Sequence, residues 1–157
     1  MAGEGRPTEA KIDARGLTLG IVATEWNAEY VEQMTQRALR AAADSGLAEA
    51  EVVHVAGAVE LPIVAQALAR KFDAVVVLGA VVRGGTAHFE YVCKSVTEGL
   101  TRVALDESTP VAHGVLTVDN ADQARARAGF PESTEDKGYE ATTAALGAAL
   151  ALREINA

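Results

Sequence analysis

The sequence predicts an α/β fold in which a parallel sheet carries helices on both faces. Segments with strand character and segments with helical spacing alternate four times along the chain. This order is typical of parallel strands joined by crossover helices. In addition, the stretch 73–78 (DAVVVL) is almost entirely apolar, as expected of a central strand that is buried on both faces.

The individual elements follow from local patterns. Short apolar runs predict strands at residues 17–23, 51–55, 73–78 and 111–118. Apolar residues spaced three and four apart predict helices that begin near residues 27, 62, 86, 120 and 138. Asn27 is predicted to cap the first helix, and Pro62 suits the first turn of the second. The last helix is rich in alanine, which favours close packing against its neighbours, and residues 130–136 are predicted to form a loop before it.

Composition limits the possible function classes. The chain has 157 residues, of which 49% are hydrophobic, so we expect a short flexible segment at 1–15 and a single domain at 16–157. A net charge of -8 argues against a nucleic-acid partner and against an anionic membrane surface. No apolar run suits a signal peptide or approaches the ~20 residues of a membrane span, so a cytoplasmic location is expected. Because Cys93 is the single cysteine, an intrachain disulfide and a thiolate zinc site are excluded.

Ligands of open α/β sheets bind beyond the carboxyl ends of the strands, so the loops at those ends are the candidate sites. The loop after the first strand carries Trp26, the only tryptophan. Its ring either fills a gap between helix and sheet or stacks on a flat ligand. The loop after the second strand leads to Glu60 at the start of a helix. Its carboxylate either complements the helix dipole or accepts hydrogen bonds from a ligand.

The loop after the third strand carries the most specific chemistry. Gly84 and Gly85 allow backbone N–H groups to approach an anion, and Thr86 adds a hydroxyl at a helix N-terminus, which together predict a phosphate site. A nucleotide P-loop would have lysine at Gly85, so a nucleoside triphosphatase is not expected. His88 lies in the first turn of the helix, where it can transfer protons to and from a bound ligand. His88 and Glu90 also match the H-x-E pattern of zinc deaminases. No P-C-x-x-C motif follows them, however, so this class of enzyme is excluded.

Two basic residues near the end of the chain have ordinary explanations when each is taken alone. Arg127 is expected to complement the dipole of a helix C-terminus, and Lys137 to be a solvated ion-pair partner in an acidic loop.

Taken together, these residues resemble the lumazine synthase family. The most specific segment is RGGTAHFEYV at 83–92, which is similar to the family signature R-G-x-T-x-H-[FY]-[DE]-x-V. Four supporting segments follow the family's order, namely GAVELP at 57–62, GVLT at 114–117, RAG at 127–129 and KG at 137–138. The resemblance covers about residues 16–155. It implies a flavodoxin-like three-layer α/β/α sandwich with a four-stranded, mainly parallel sheet.

The resemblance also implies an activity. The family's enzymes are transferases of riboflavin biosynthesis that condense 5-amino-6-ribitylamino-uracil with 3,4-dihydroxy-2-butanone 4-phosphate, without a cofactor or a metal. By this resemblance His88 is the proton-transfer residue. The phosphate would be bound by Gly84, Gly85, Thr86 and Arg127. The pyrimidine and ribityl parts would be bound by Trp26, Ala58, Val59, Glu60, Val81, Val82, His113 and Lys137.

Assembly is implied by the same resemblance. The family's active sites lie between subunits, so His113, Arg127 and Lys137 would come from a neighbouring chain. Members that form sixty-subunit capsids usually carry a shorter linker at residues 130–136, and the longer linker here favours a homopentamer. Two alternatives stay open, a flavin- or pterin-binding module without turnover and an archaeal-type riboflavin synthase. The phosphate loop favours the lumazine synthase over the riboflavin synthase, and the presence of His88, Arg127 and Lys137 favours it over the binding module.

Overall fold

A computed structural model describes residues 4–8 and 11–157 of the chain. In this part of the chain four strands are separated by helices, two further helices follow the last strand to make five α-helices, and a short 3-10 turn lies at Ala58–Glu60. The strands are β1 (Leu19–Thr24), β2 (Glu51–Val55), β3 (Ala74–Val82) and β4 (Val111–Val118). The helices are α1 (Ala28–Asp44), α2 (Leu61–Ala69), α3 (His88–Glu107), α4 (Ala121–Arg127) and α5 (Lys137–Ile155).

The strands form one sheet in the order β2-β1-β3-β4, and every pairing is parallel. Ile21 of β1 pairs with Val52 on one side and with Val76 on the other, so β1 and β3 are the central strands. This arrangement confirms the predicted α/β fold with a mainly parallel sheet. The order reverses between β1 and β3, which makes the carboxyl ends of these strands the topological switch point.

The sheet separates two apolar layers. On one face, α1 and α5 cover residues such as Ile21, Val76 and Leu116, and on the other, α2 and α3 cover Val75 and Val77. All six β1 residues are buried, as are the first seven residues of β3. Burial on both faces explains why these strands are continuous apolar runs rather than alternating ones.

The helices α1 and α5 approach each other closely, as the alanine content of α5 predicts. A Cβ atom on Gly138 would overlap the backbone carbonyl of Met34 in α1. Beyond this contact, Ala141, Ala145 and Ala149 extend the buried side of α5 along the same layer. Small side chains therefore set the spacing of this helix pair.

Several predicted boundaries and contacts were wrong. Strand β3 continues four residues past residue 78 to Val82, because its pairing with β4 extends to Val82 opposite Val118. Helix α3 begins at His88 rather than near Thr86. Lys137 is the first residue of α5 and does not lie in the preceding loop. Asn27 precedes α1 as predicted, but its side chain caps nothing there and instead donates a hydrogen bond to the Ala80 carbonyl at 2.8 Å.

The packed structure begins before β1. Ala14 is fully buried, its N–H donates to the carbonyl of Ser45 at 2.8 Å, and Ile12 packs against the core under α1 and α5. The boundary at residue 16 stays a prediction. Among the described residues, no helix is both long and apolar enough to cross a membrane.

Candidate active site

The candidate residues of the first three loops gather at one edge of the sheet. Trp26 follows β1, Glu60 follows β2, and the segment 83–88 follows β3, and the carboxyl ends of parallel neighbouring strands meet at the same edge. Val81 and Val82 are the last residues of β3 and lie at this edge as well. The switch point between β1 and β3 therefore lies between the tryptophan and the glycine loop.

The loop after β3 is held by Arg83. Its backbone N–H donates to the Val118 carbonyl at 2.8 Å, which continues the pairing of β3 with β4. Its guanidinium contacts Asp119 at 2.7 Å and Glu90 at 3.5 Å, and it lies 4.4 Å from the centre of the Phe89 ring. Arg83 directly precedes the two glycines, and the first turn of α3 follows them. Its contacts thus join the end of β4 to this first turn.

Gly84 and Gly85 are open to solvent in the single chain. Neither has a positive φ, and a Cβ atom on either would meet no atom within 4 Å. The backbone conformation alone therefore does not require glycine. What glycine provides here is free space above the backbone N–H groups, directly before a helix of 20 residues. An anion at a helix N-terminus needs this kind of access.

His88 is the first residue of α3 and is exposed. Its backbone N–H donates to the Thr86 hydroxyl at 3.3 Å, so Thr86 satisfies one of the free donors at the helix start. The residue therefore lies between the glycine loop and the helix, with an exposed imidazole. This position suits a residue that exchanges protons with a ligand bound at the loop.

Trp26 is 72% exposed, so it does not fill a gap between helix and sheet. Its backbone N–H donates to the Ala56 carbonyl at 3.2 Å, and a Cβ atom on Gly57 would lie 3.3 Å from its ring. The absence of a side chain at Gly57 lets the indole lie against the loop after β2. An exposed and supported ring of this kind can stack on a flat ligand.

Glu60 folds back on its own turn. Its Oε2 atom accepts a hydrogen bond from the Gly57 N–H at 3.0 Å and satisfies a donor at the start of the 3-10 turn. This contact agrees with the first explanation of Glu60, a carboxylate that complements a helix start, and leaves the second carboxylate oxygen for a ligand. Ala58 and Val59 lie in the same turn, where Val59 is 53% exposed.

His113 lies far from this edge within its own chain. It pairs with Val77, five residues before the end of β3, which corresponds to about 16 Å along the strand. Its Nε2 atom lies 3.0 Å from the Thr97 hydroxyl of α3. The pKa of His113 is lowered, first because surrounding protein atoms displace water and further because of the charge of Lys137.

Arg127 and Lys137 also have local surroundings. Arg127 ends α4, donates from Nη1 to the Gln123 carbonyl at 3.0 Å and contacts Glu135 at 3.3 Å. Lys137 makes no ion pair with a described residue, although an ion pair within its acidic loop was the expectation for it taken alone. Glu135 and Asp136 bind Arg127 and Arg37 instead.

The edge with the candidate residues is an open surface in the single chain. Cavities of about 460 and 650 Å³ lie beside α1, one against the 129–136 loop and the other against β2 with Thr24 and Glu25 at its rim. Neither is lined by residues of the 83–88 loop or by Trp26. Among the described residues, no cluster of three His, Cys, Asp or Glu side chains could hold a metal ion.

The chain is similar over nearly its whole length to proteins of one family. Residues 16–153 match the sequence model of the family described as 6,7-dimethyl-8-ribityllumazine synthase. The chain belongs to this family. It is 63% identical to the 6,7-dimethyl-8-ribityllumazine synthase of Thermobifida fusca, over 99% of this chain and 91% of that protein. It is 60% identical to that of Saccharopolyspora erythraea, over 99% and 94% of the two chains.

Sequence reasoning missed three residues that act on the candidate site residues, namely Arg83, Thr97 and Glu135. The signal for Arg83 was its place directly before the two glycines, but its contact with Asp119 depends on the register of β3 with β4. Thr97 and Glu135 carried no comparable signal. Their contacts depend on how α3 crosses β4 and on how the 130–136 loop folds back on α4.

Proposed function

We propose that this protein catalyses the condensation of 5-amino-6-ribitylamino-uracil with 3,4-dihydroxy-2-butanone 4-phosphate to give 6,7-dimethyl-8-ribityllumazine, phosphate and water. Family membership over residues 16–153 carries this proposal. The position of His88, beside an open glycine loop at the switch point of the sheet, supports it. Nothing in the structure or in the relatives favours a binding module or an archaeal-type riboflavin synthase.

The phosphate of the butanone is assigned to the loop after β3. Gly84 and Gly85 would offer backbone N–H groups, and Thr86 its hydroxyl, at the positive end of the α3 dipole. In this proposal Arg127 comes from a neighbouring subunit and adds the positive charge that the phosphate needs. The exposed loop in the single chain is consistent with a site that a second subunit covers.

The pyrimidine is assigned to the edge between Trp26 and the end of β3. The indole would stack on the ring, and the backbone at Ala58, Val59, Val81 and Val82 would read its polar edges. Glu60 would accept hydrogen bonds from the ribityl chain. His113 and Lys137 would approach the same ligand from the neighbouring subunit.

The chemistry needs several proton transfers. The aromatic amine attacks the ketone and forms an imine with loss of water, phosphate then leaves the carbon chain, and the ribitylamino nitrogen closes the ring with loss of a second water. His88 would donate and accept the protons in these steps. Much of the acceleration would come from holding the two substrates in register.

The proposed site needs residues from two chains, so assembly is part of the proposal. We infer a homopentamer, because the 130–136 linker is longer than the linker typical of capsid-forming members of the family. A cytoplasmic location agrees with the small, polar substrates of this reaction.

The test mixes the purified protein with both substrates and follows the absorbance and fluorescence of the lumazine. We expect product above the spontaneous rate, and a higher KM for the butanone phosphate in Arg127→Ala with the KM for the pyrimidine little changed. Binding of the pyrimidine without any acceleration of product formation would replace this proposal with the binding-module alternative.

A further inference from the structure

The 130–136 loop closes the C-terminal end of α4. The hydroxyl of Ser133 donates to the Arg125 carbonyl at 2.5 Å, and the backbone N–H groups of Thr134 and Glu135 donate to the Ala126 carbonyl at 2.9 and 3.0 Å. The last carbonyls of a helix lack intrahelical hydrogen-bond donors, and here the loop provides the donors. The segment around Arg127 is therefore fixed by the loop that follows it.

Glu135 is the least exposed partner of this segment. Its side chain is 11% exposed, and its Oε2 atom lies 3.3 Å from Nε of Arg127, whose side chain is 36% exposed. On its other side the guanidinium donates from Nη1 to the Gln123 carbonyl at 3.0 Å. Arginine has five N–H donors, so these two contacts orient the group and leave donors for an anion.

We infer that Glu135 is a positioning residue that orients the guanidinium of Arg127 toward the substrate phosphate. An unrestrained arginine side chain loses much rotamer freedom when it binds, and a carboxylate that already fixes it removes part of this cost. This inference rests on the proposed function, in which Arg127 binds the phosphate in a neighbouring subunit's site.

Glu132 provides a matched control in the same loop. It contacts Arg125 at 2.7 Å, but its side chain is exposed and it does not contact Arg127. Glu132→Gln thus removes a carboxylate and an ion pair from the loop and leaves the Arg127–Glu135 pair in place.

The experiment measures binding of inorganic phosphate to the assembled protein by calorimetry. We expect Glu135→Ala to weaken phosphate binding about tenfold, because a charge-assisted contact that orients Arg127 is lost. Glu135→Gln, which retains an acceptor oxygen and replaces the charge, should have a smaller effect in the same direction. Glu132→Gln should bind phosphate like the wild type. If Glu135→Ala does not assemble, the inference is tested with Glu135→Gln alone, which should still bind phosphate more weakly than Glu132→Gln.

A second comparison separates positioning from a structural role. In an Arg127→Ala background, Glu135→Ala should have no further effect on phosphate binding, because its effect passes through Arg127. An equal loss in both backgrounds would contradict the inference, and so would tighter phosphate binding by Glu135→Gln or no phosphate binding by the wild type. If the wild type binds phosphate and forms no product, the proposed function fails while the inference about Glu135 stands.

Discussion

Residues of the proposed site differ in how many contacts their side chains make within a single chain. Arg83 is joined to Asp119, Glu90 and Phe89, whereas the side chains of Trp26 and His88 are exposed. Groups that bind a ligand need free surface, and groups that orient them need internal contacts. Trp26 and His88 are thus candidates for direct contact with substrate, and Arg83, whose exposed side chain is held by ion pairs, is a candidate for support.

His88 gives the first prediction at the residue scale. His88→Ala should lower kcat by about 10²–10⁴-fold without abolishing turnover, because general acid–base catalysis contributes that much while substrate alignment persists. Single-turnover measurements with saturating substrates test this. Complete loss of activity in a variant that still binds both substrates would contradict it.

His113 gives a second prediction. Its pKa should lie below the ordinary 6.5, because neighbouring protein atoms displace part of the water around the ring and the charge of Lys137 further disfavours the charged form, so Lys137→Met should raise the pKa. Since the unfolded chain then binds more protons than the folded one, His113 should reduce stability as the pH falls below 6.5. An NMR titration of the histidine rings measures the pKa, with Lys94→Met on the exposed side of α3 as the control. A His113 pKa at or above 6.5 would refute this.

At the element scale, loops and helices depend on a few contacts between distant segments. Arg83 links the end of β4 to the start of α3, and Gly138 sets the spacing of α1 and α5. These contacts place the phosphate loop and the last helix against the sheet, and each can be tested by a single substitution.

Arg83→Met should raise the KM for the butanone phosphate up to about fivefold, because exposed ion pairs contribute at most ~1 kcal/mol each. The KM for the pyrimidine should change less, since Trp26 does not depend on this loop. Arg102→Met is the control, because Arg102 pairs with Asp106 further along α3. Equal effects of the two substitutions would show that Arg83 has no special role.

Gly138→Ala should lower the free energy of unfolding by about 1–3 kcal/mol, because the added methyl group meets the backbone of Met34, which cannot rotate away. Gly147→Ala in the same helix meets nothing within 4 Å and should be neutral or stabilising by up to ~1 kcal/mol. Chemical denaturation of both variants measures the difference. Equal stability of the two would contradict the close approach of α1 and α5.

At the scale of the whole molecule, one chain leaves the proposed site incomplete. Ile63 of α2 and Tyr91 of α3 are 68% and 71% exposed, although both are large apolar side chains. His113 lies about 16 Å along the sheet from the phosphate loop. A second subunit that covers the α2–α3 layer would account for both features.

Mixed assembly tests the shared site. His88→Ala and Arg127→Ala subunits, each impaired when it is assembled alone, should be more active after they are denatured together and refolded, because some interfaces then join an intact His88 to an intact Arg127. Refolding each variant separately is the control. Activity no higher in the mixture than in the separate samples would place both residues in one chain's site. Light scattering of the same samples should give the mass of a pentamer.

The sequence predicted much of this structure, for identifiable reasons. The bounds of β2 and β4 were correct, because the run of β4 lies between Pro110 and Asp119 and that of β2 ends shortly before Gly57. The end of β3 was placed too early because Gly79 interrupts the apolar run, whereas pairing with β4 continues the strand to Val82. The cap assigned to Asn27 was wrong because its amide reaches a β3 carbonyl that is distant in sequence. The roles of the site residues stay predictions.

The order of the elements, the buried strands and the chemistry of each loop follow from periodicity and residue type, because both act locally along the chain. The meeting of loops at the switch point and the carboxylates that hold Arg83 and Arg127 follow instead from how distant segments pack. Asp119 is 36 residues from Arg83, and its contact depends on the register of β3 with β4. Glu135 reaches Arg127 only because the loop folds back onto the end of α4. Such contacts arise from the geometry of packed backbone, which no local pattern encodes.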